Sequence, residues 1–196
     1  MLEAPSVERV SESDVTRLAS VLARAFLDDP VTCWAFDREP TRLRTAARFF
    51  ELRLRTLIPH ELSYTTHDRE GAALWALPGK WLVPIGETLR LMVLVRARRL
   101  PLVTRGLTMV ERRHPREKHF YLAVLGTDPD HQGQGIGSAL LRPVLEMSDS
   151  EGIPAYLETA KERNLAFYGR HGFEVTERLE LPKGPPVWLM WRRPNE

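Results

Sequence analysis

The sequence is short of several things, and each shortage excludes something. A single cysteine, Cys33, stands among 196 residues, so no internal disulfide can form and the chain suits a reducing compartment; the cytosol is the expected location. No apolar run approaches the roughly 20 residues of a bilayer span, and residues 1–10 carry acids rather than the apolar core of a signal peptide. Neither membrane insertion nor secretion is expected. Repeats and low-complexity tracts are absent, and the proline-rich run 181–186 reads as a turn, which points to one domain over 1–196. Neither sign of charge dominates, with 28 basic and 26 acidic residues, so the chain as a whole is no polyanion binder. The six histidines show no pair at metal-ligand spacing, and with one cysteine no metal site is expected. No nucleophilic serine elbow occurs.

What is present alternates between strand and helix patterns. A short strand over 7–10 precedes Ser11-Glu12-Ser13-Asp14, a capping-box pattern, after which Val15, Leu18, Leu22 and Phe26 recur at helical spacing. Asp28-Asp29-Pro30 ends that helix and opens a loop over 28–36. Leu43, Ala46, Phe50, Leu54 and Leu57 mark a second helix, stopped by Pro59, and strands follow over 62–66 and 72–77. Residues 84–116 read as a helical, arginine-rich insertion broken near Pro101. Between Arg90 and Lys118 nine basic residues face two acidic ones. No aromatics are interleaved among those bases, which argues against nucleic acid; a solvated helix face or a dock for an anionic ligand remain as readings. A strand over 120–125, a helix over 137–150, a strand over 153–159, a short helix over 161–170 and strands over 173–179 and 187–191 complete an α/β pattern.

The most informative stretch is Asp128-Pro129-Asp130-His131-Gln132-Gly133-Gln134-Gly135-Ile136-Gly137-Ser138, between a strand and a helix. A helix N-terminus leaves backbone N–H groups unpaired with partial positive charge, and glycines let them converge on a phosphate. A plain glycine-rich turn is the alternative. A P-loop is excluded because Gly137-Ser138 lacks the preceding lysine. A dinucleotide fingerprint fits poorly, since seven residues separate Leu125 from Gly133.

Gln132-x-x-Gly135-x-Gly137 resembles the acetyl-CoA signature of the GNAT superfamily of N-acetyltransferases, and Tyr168-Gly169-Arg170-His171-Gly172-Phe173 resembles its later Tyr-x-x-x-Gly-Phe. The Pro-Asp-His-Gln-Gly and Leu-Glu-Thr runs look most like its puromycin N-acetyltransferase-like members. The resemblance implies a GNAT fold: a mixed, mostly antiparallel sheet of six or seven strands, splayed between the fourth and fifth and flanked by helices. It further implies acetyl-CoA as co-substrate and a small primary amine as acceptor, in a monomer or homodimer. On it, amides of Gly133, Gln134, Gly135, Ile136, Gly137 and Ser138, with Gln132, take the pyrophosphate. Leu125, Gly126 and Thr127 run beside the pantetheine arm, an amide near Leu125 stabilises the oxyanion, and Asn164 is a further CoA contact.

Tyr168 is the candidate acid for the departing thiolate. Glu158 is the candidate base for the acceptor amine; alternation sets it opposite Ile153, Ala155 and Leu157, and some superfamily members use a glutamate at this strand position. A plain ion-paired glutamate is the competing reading. Trp34, Phe36, Trp75 and Trp81 are either core or the wall of an acceptor pocket. Two further readings stay open: a non-catalytic acyl-CoA sensor of the same fold, and a dinucleotide binder.

Overall fold

The computed structural model describes residues 5–195, so positions 1–4 and 196 of the expected domain lie outside the described residues. In chain order the elements are β1 (Val7–Arg9), α1 (Val15–Ala25), α2 (Pro30–Ala35), α3 (Glu39–Leu57), β2 (Ser63–Thr66), β3 (Gly71–Ala76), α4 (Ile85–Leu94), α5 (Leu100–Glu111), β4 (Phe120–Thr127), α6 (Ile136–Glu151), β5 (Ala155–Thr159), α7 (Arg163–Gly169), β6 (Glu174–Glu180) and β7 (Pro186–Arg192). Among the described residues no helix is long and apolar enough to cross a membrane.

The local chemistry explains most of these elements. Ser11 donates its amide and hydroxyl to Asp14, closing the capping box ahead of α1. Within the expected loop over 28–36, Pro30–Ala35 form a helix instead. Asp29 Oδ1 accepts the amides of Val31 at 3.0 Å and Thr32 at 2.9 Å, and Pro30 occupies the first helical position, so the residues that end α1 also start α2. The insertion forms α4 and α5, and the break between them falls ahead of Pro101, which sits in the first turn of α5.

The strands make one seven-stranded sheet in the order β1-β2-β3-β4-β5-β7-β6. Among the described residues only the β4–β5 pairing is parallel, which is incompatible with the doubly wound parallel sheet of a dinucleotide binder. Helices α6 and α7 cover one face: Leu140, Leu141, Val144 and Tyr168 pack with Trp75, Phe120 and Leu122. On the other face Leu18, Leu22, Phe50 and Leu54 of α1 and α3 pack on Ala72, Leu74 and Val124. A third cluster joins α2 and α5 to β5 and β7 through Trp34, Val103, Tyr156 and Leu189.

A single extra residue positions the site. On β3, Trp75 pairs with Leu122 while its neighbour Leu74 pairs with Val124, so Ala123 bulges out of β4. Parallel pairing with β5 ends there, at Leu122 with Leu157. Beyond it β4 stays with β3 as far as Thr127, and β5 stays with β7 as far as Thr159. The two strands diverge into a wedge, the expected splay, and one edge of β4 is left without a strand partner.

Candidate active site

The turn after β4 is built by side chains that face inward on themselves. Asp128 Oδ1 accepts the Asp130 amide at 3.0 Å, Arg24 of α1 binds Asp128 at 3.1 Å and Asp130 at 2.6 Å, and Gln132 Nε2 donates to the Thr127 carbonyl at 3.2 Å. Gly133 and Gly135 then adopt φ of +80° and +82°, a left-handed backbone that side chains disfavour, with Gly135 capping α6. The first intrahelical bond runs from the Ala139 amide to the Gly135 carbonyl. The amides of Ile136, Gly137 and Ser138 therefore precede the helical ladder and are free for an anion.

Those residues line a cavity of about 400 Å³ at the wedge. Each residue expected to bind the cofactor lines it except Gln134, whose side chain is exposed between the two left-handed glycines. Ser138 and Asn164 are also engaged elsewhere: the Ser138 hydroxyl lies 2.9 Å from His171 Nε2, and Asn164 Nδ2 donates to Thr159 Oγ1 at 3.4 Å. Three cations that sequence reasoning passed over, Lys161, Arg163 and Arg170, stand at the same cavity. Lys161 and Arg163 bind Asp28 at 2.5 and 3.4 Å, and the Lys161 hydrogen bond holds the Asp28 carboxyl below its ordinary range. Their clustering on one short segment after β5 was visible in the sequence.

Tyr168 is buried, its ring edge-on to Phe167 and Phe173. Burial, and then the nearby Asp29 carboxylate, raise its phenol well above the ordinary value, so it stays protonated. Asp29, not anticipated, is itself buried, and burial pushes its carboxyl up.

A second cavity, about 500 Å³, opens on the other side of the wedge. Trp34, Phe36, Phe49, Phe50, Trp81 and Tyr121 give it an aromatic wall, while α4 and α5 contribute Met92 and Val103, with Val95 just past the end of α4. The insertion is thus a cavity wall, and its solvated face is only the outer one. Its cations are partly committed: Arg96 and Arg98 bind Asp37 at 3.5 and 2.8 Å, and Arg113 binds Glu177 at 3.2 Å. Trp75 is not in the pocket; it is fully buried in the sheet core beneath α6.

The two cavities share Phe26, Asp29, Leu125, Asn164 and Tyr168. Glu158 lines only the second. It is no solvated surface residue: its side chain is 14% exposed, its Oε2 accepts the Tyr121 hydroxyl at 2.7 Å, and its Oε1 lies 3.6 Å from His114 Nδ1. Burial and that carboxylate raise the Tyr121 phenol far above its usual value, so it donates. The histidines that look scattered along the chain include a buried pair, His114 and His119, with Nε2 atoms 3.0 Å apart. Among the described residues no three His, Cys, Asp or Glu side chains gather as a metal site.

Residues 102–173, which carry the bulge, the glycine turn, both cavities' shared side chains on β4 and α7, and Tyr168, match the Acetyltransferase (GNAT) family. Over that stretch the chain is similar to the GNAT acetyltransferases. Over 97% of its length it is 27% identical to an uncharacterised N-acetyltransferase of Schizosaccharomyces pombe, of which it covers 84%. A crystal structure described as histone acetyltransferase HPA2 and related acetyltransferase, from Corynebacterium glutamicum, superposes with a TM-score of 0.71 at 21% identity, covering 99% of this chain and 98% of that one. Arylalkylamine N-acetyltransferase 2 of Aedes aegypti superposes at 0.65 and 14% identity, covering 98% and 100%. The GNAT fold, with its parallel β4–β5 pair and flanking helices, and an acetyl-CoA-dependent acyltransferase agree with these likenesses.

Proposed function

We propose that this GNAT enzyme moves acetyl from acetyl-CoA to the primary amine of a small molecule that has a bulky apolar body. The observation that carries the reading is the meeting of two cavities of different chemistry at Leu125 and Tyr168: one ringed by free amides and cations, the other aromatic with carboxylates. The first suits a pyrophosphate, through the amides from Gly133 to Ser138. Leu125, Gly126 and Thr127 lie along the unpaired edge of β4, where an extended thiol arm can be held by backbone hydrogen bonds. The second suits an amine with apolar bulk, such as an aminonucleoside antibiotic of the puromycin type.

Transfer is then direct. An acceptor amine arrives protonated, and Glu158, between Tyr121 and His114 in the acceptor cavity, takes its proton. The nitrogen attacks the thioester carbonyl, whose oxygen is stabilised by an amide of β4 near Leu125. The C–S bond breaks and its electron pair leaves on sulfur. Tyr168, held neutral by burial, passes its proton to that sulfur while receiving the remaining surplus proton of the nitrogen.

The test is release of free thiol from acetyl-CoA by the purified protein against a panel of primary amines, puromycin and phenylalkylamines beside hydrophilic polyamines. Turnover with the apolar members is expected. Binding of acetyl-CoA without thiol release from any of them would overturn the catalytic reading in favour of a sensor.

A further inference from the structure

The histidine pair fixes its own protons. His119 Nδ1 lies 2.6 Å from the Glu117 carbonyl, which can only accept, so Nδ1 carries the hydrogen. Burial lowers the His119 pKa, so the ring is neutral and its Nε2 is bare. His114 Nε2, 3.0 Å away, must then donate to it. In the neutral ring that leaves His114 Nδ1 as a lone pair, and it faces Glu158 Oε1 across 3.6 Å. The other carboxylate oxygen already accepts from Tyr121. Two lone pairs confront each other at the wall of the acceptor cavity, 3.6 Å apart, and a small approach of the two groups lets one proton join them.

From this arrangement we infer that His114 is a positioning residue for the acceptor's deprotonation, receiving through Glu158 the proton that the ammonium gives up. The inference rests on the acetyl-transfer reading above. The step balances: the N–H bond of the ammonium breaks, the proton crosses Glu158 Oε1 to His114 Nδ1, and a carboxylate–imidazolium pair remains. The freed lone pair forms the C–N bond. After product leaves, the His114 proton returns to water through the cavity.

The surroundings favour such a relay. Trp81 stacks on His114 with ring centroids 3.6 Å apart, and Tyr121 and Tyr156 stand edge-on to it. The imidazole is thus shielded from solvent on its faces while its Nδ1 points at the carboxylate; its side chain is 2% exposed. The ionisable groups around the pair are His119 and Tyr121 on the β4 side, Tyr156 on β5, Glu111 on α5 and Arg53 on α3, with Glu177 of β6 acting on Tyr156. Of these, Tyr121, Glu111 and Arg53 share the cavity wall with the dyad.

The experiment compares wild type, His114→Gln and Glu158→Gln with the best amine of the panel, from about pH 7 to about pH 10, where an alkylamine near the lysine reference value has lost much of its proton unaided. Each variant is expected to lose about a hundredfold in kcat/KM for the amine at neutral pH, to recover most of it at the alkaline end, and to keep its affinity for acetyl-CoA. The double variant should be little worse than either single one. A deficit in His114→Gln that is equal at every pH means a structural role and overturns the inference while leaving acetyl transfer intact. A wild type without turnover overturns the transfer reading itself, and the relay with it. Should His114→Gln not fold, nitrogen-15 NMR of the wild-type imidazoles decides: Nε2–H on His114 with Nδ1–H on His119 supports the relay, and the opposite tautomer on either ring overturns it.

Discussion

Replacing Tyr168 by Phe removes one oxygen from the point where the two cavities meet. Burial and the Asp29 carboxylate are what shift this phenol, with no contribution from a hydrogen bond to another described residue, so the hydroxyl ties nothing together in the fold. Loss of an oxygen without a protein partner leaves stability within about 0.5 kcal/mol of wild type. The catalytic loss is of another size. A positioned proton donor contributes about a hundredfold to ten-thousandfold, so kcat should fall by that factor, equivalent to roughly 3 to 5 kcal/mol of barrier. Acetyl-CoA affinity should hold, because the amides of Ile136, Gly137 and Ser138 are untouched. The assay is continuous thiol release at saturating acetyl-CoA and amine, paired with a thermal melt of each protein. The sign of the pH dependence adds a second check. A pKa raised in the folded protein keeps the donor form present above the ordinary value of about 10, so wild-type kcat should show no descending alkaline limb from this group below that pH. A Phe variant with unchanged kcat, or one whose loss lies wholly in acetyl-CoA binding, refutes the assignment.

Gly135→Val forces a branched side chain into a φ of +82°, at a cost of about 1 to 2 kcal/mol, although its Cβ meets no neighbour. Calorimetry should show acetyl-CoA binding weakened about tenfold, with kcat at saturation kept. Trp81→Ala strips one wall of the acceptor cavity and should raise KM for an apolar amine roughly tenfold without changing acetyl-CoA affinity; an unchanged KM puts the acceptor elsewhere. Asp149→Asn tests the framework. Arg192, 4% exposed, binds Asp149 Oδ1 at 2.7 Å, and that contact lowers the Asp149 carboxyl below its ordinary range. A lowered folded pKa means the pair's stabilisation is present above about pH 4 and lost as pH falls through the lowered value. The variant should cost about 2 kcal/mol at neutral pH, measured by denaturant melts, and lose this acid-side dependence.

The parts of the molecule that the sequence announces are those in which a residue type answers a local demand. Gly133 and Gly135 are glycines because the backbone there is left-handed, and α1 was readable because Val15, Leu18 and Leu22 all turn to one core. Reading failed where one signal served two elements. Asp28-Asp29-Pro30 marks the end of α1, yet Asp29 and Pro30 are also the cap and first residue of α2, which carries Trp34 into the aromatic cavity. The bulge at Ala123 lies inside an apolar run that gives no hint of broken alternation. His114 and His119 are five residues apart in a connecting segment, and only the sheet and Trp81 bring their rings together over Glu158. Alternation sets Glu158 on the face of the aromatic cavity, but its partners Tyr121 and His114 come from β4 and from the segment before it.

The bulge ties these pieces together. Before Ala123, Phe120 and Leu122 face α6; after it, Val124 packs toward α1 and α3, and Leu125 turns to the α6 side. One inserted residue thus reverses the two faces of β4 and ends its pairing with β5, so the strand that opens the slot also aims Leu125 into it. Gly126 completes the arrangement. A Cβ there would stand 2.9 Å from both Leu22 and Phe26, so only glycine lets α1 settle this close to β4. That approach sets Phe26, and Asp29 just after it, beside Tyr168 at the junction of the two cavities. An ordinary strand over 120–127 would pair with β5 throughout and close the wedge. On the proposed reading, an amine on one side and a thioester on the other then have no place to meet, since the two cavities join only where the sheet is interrupted.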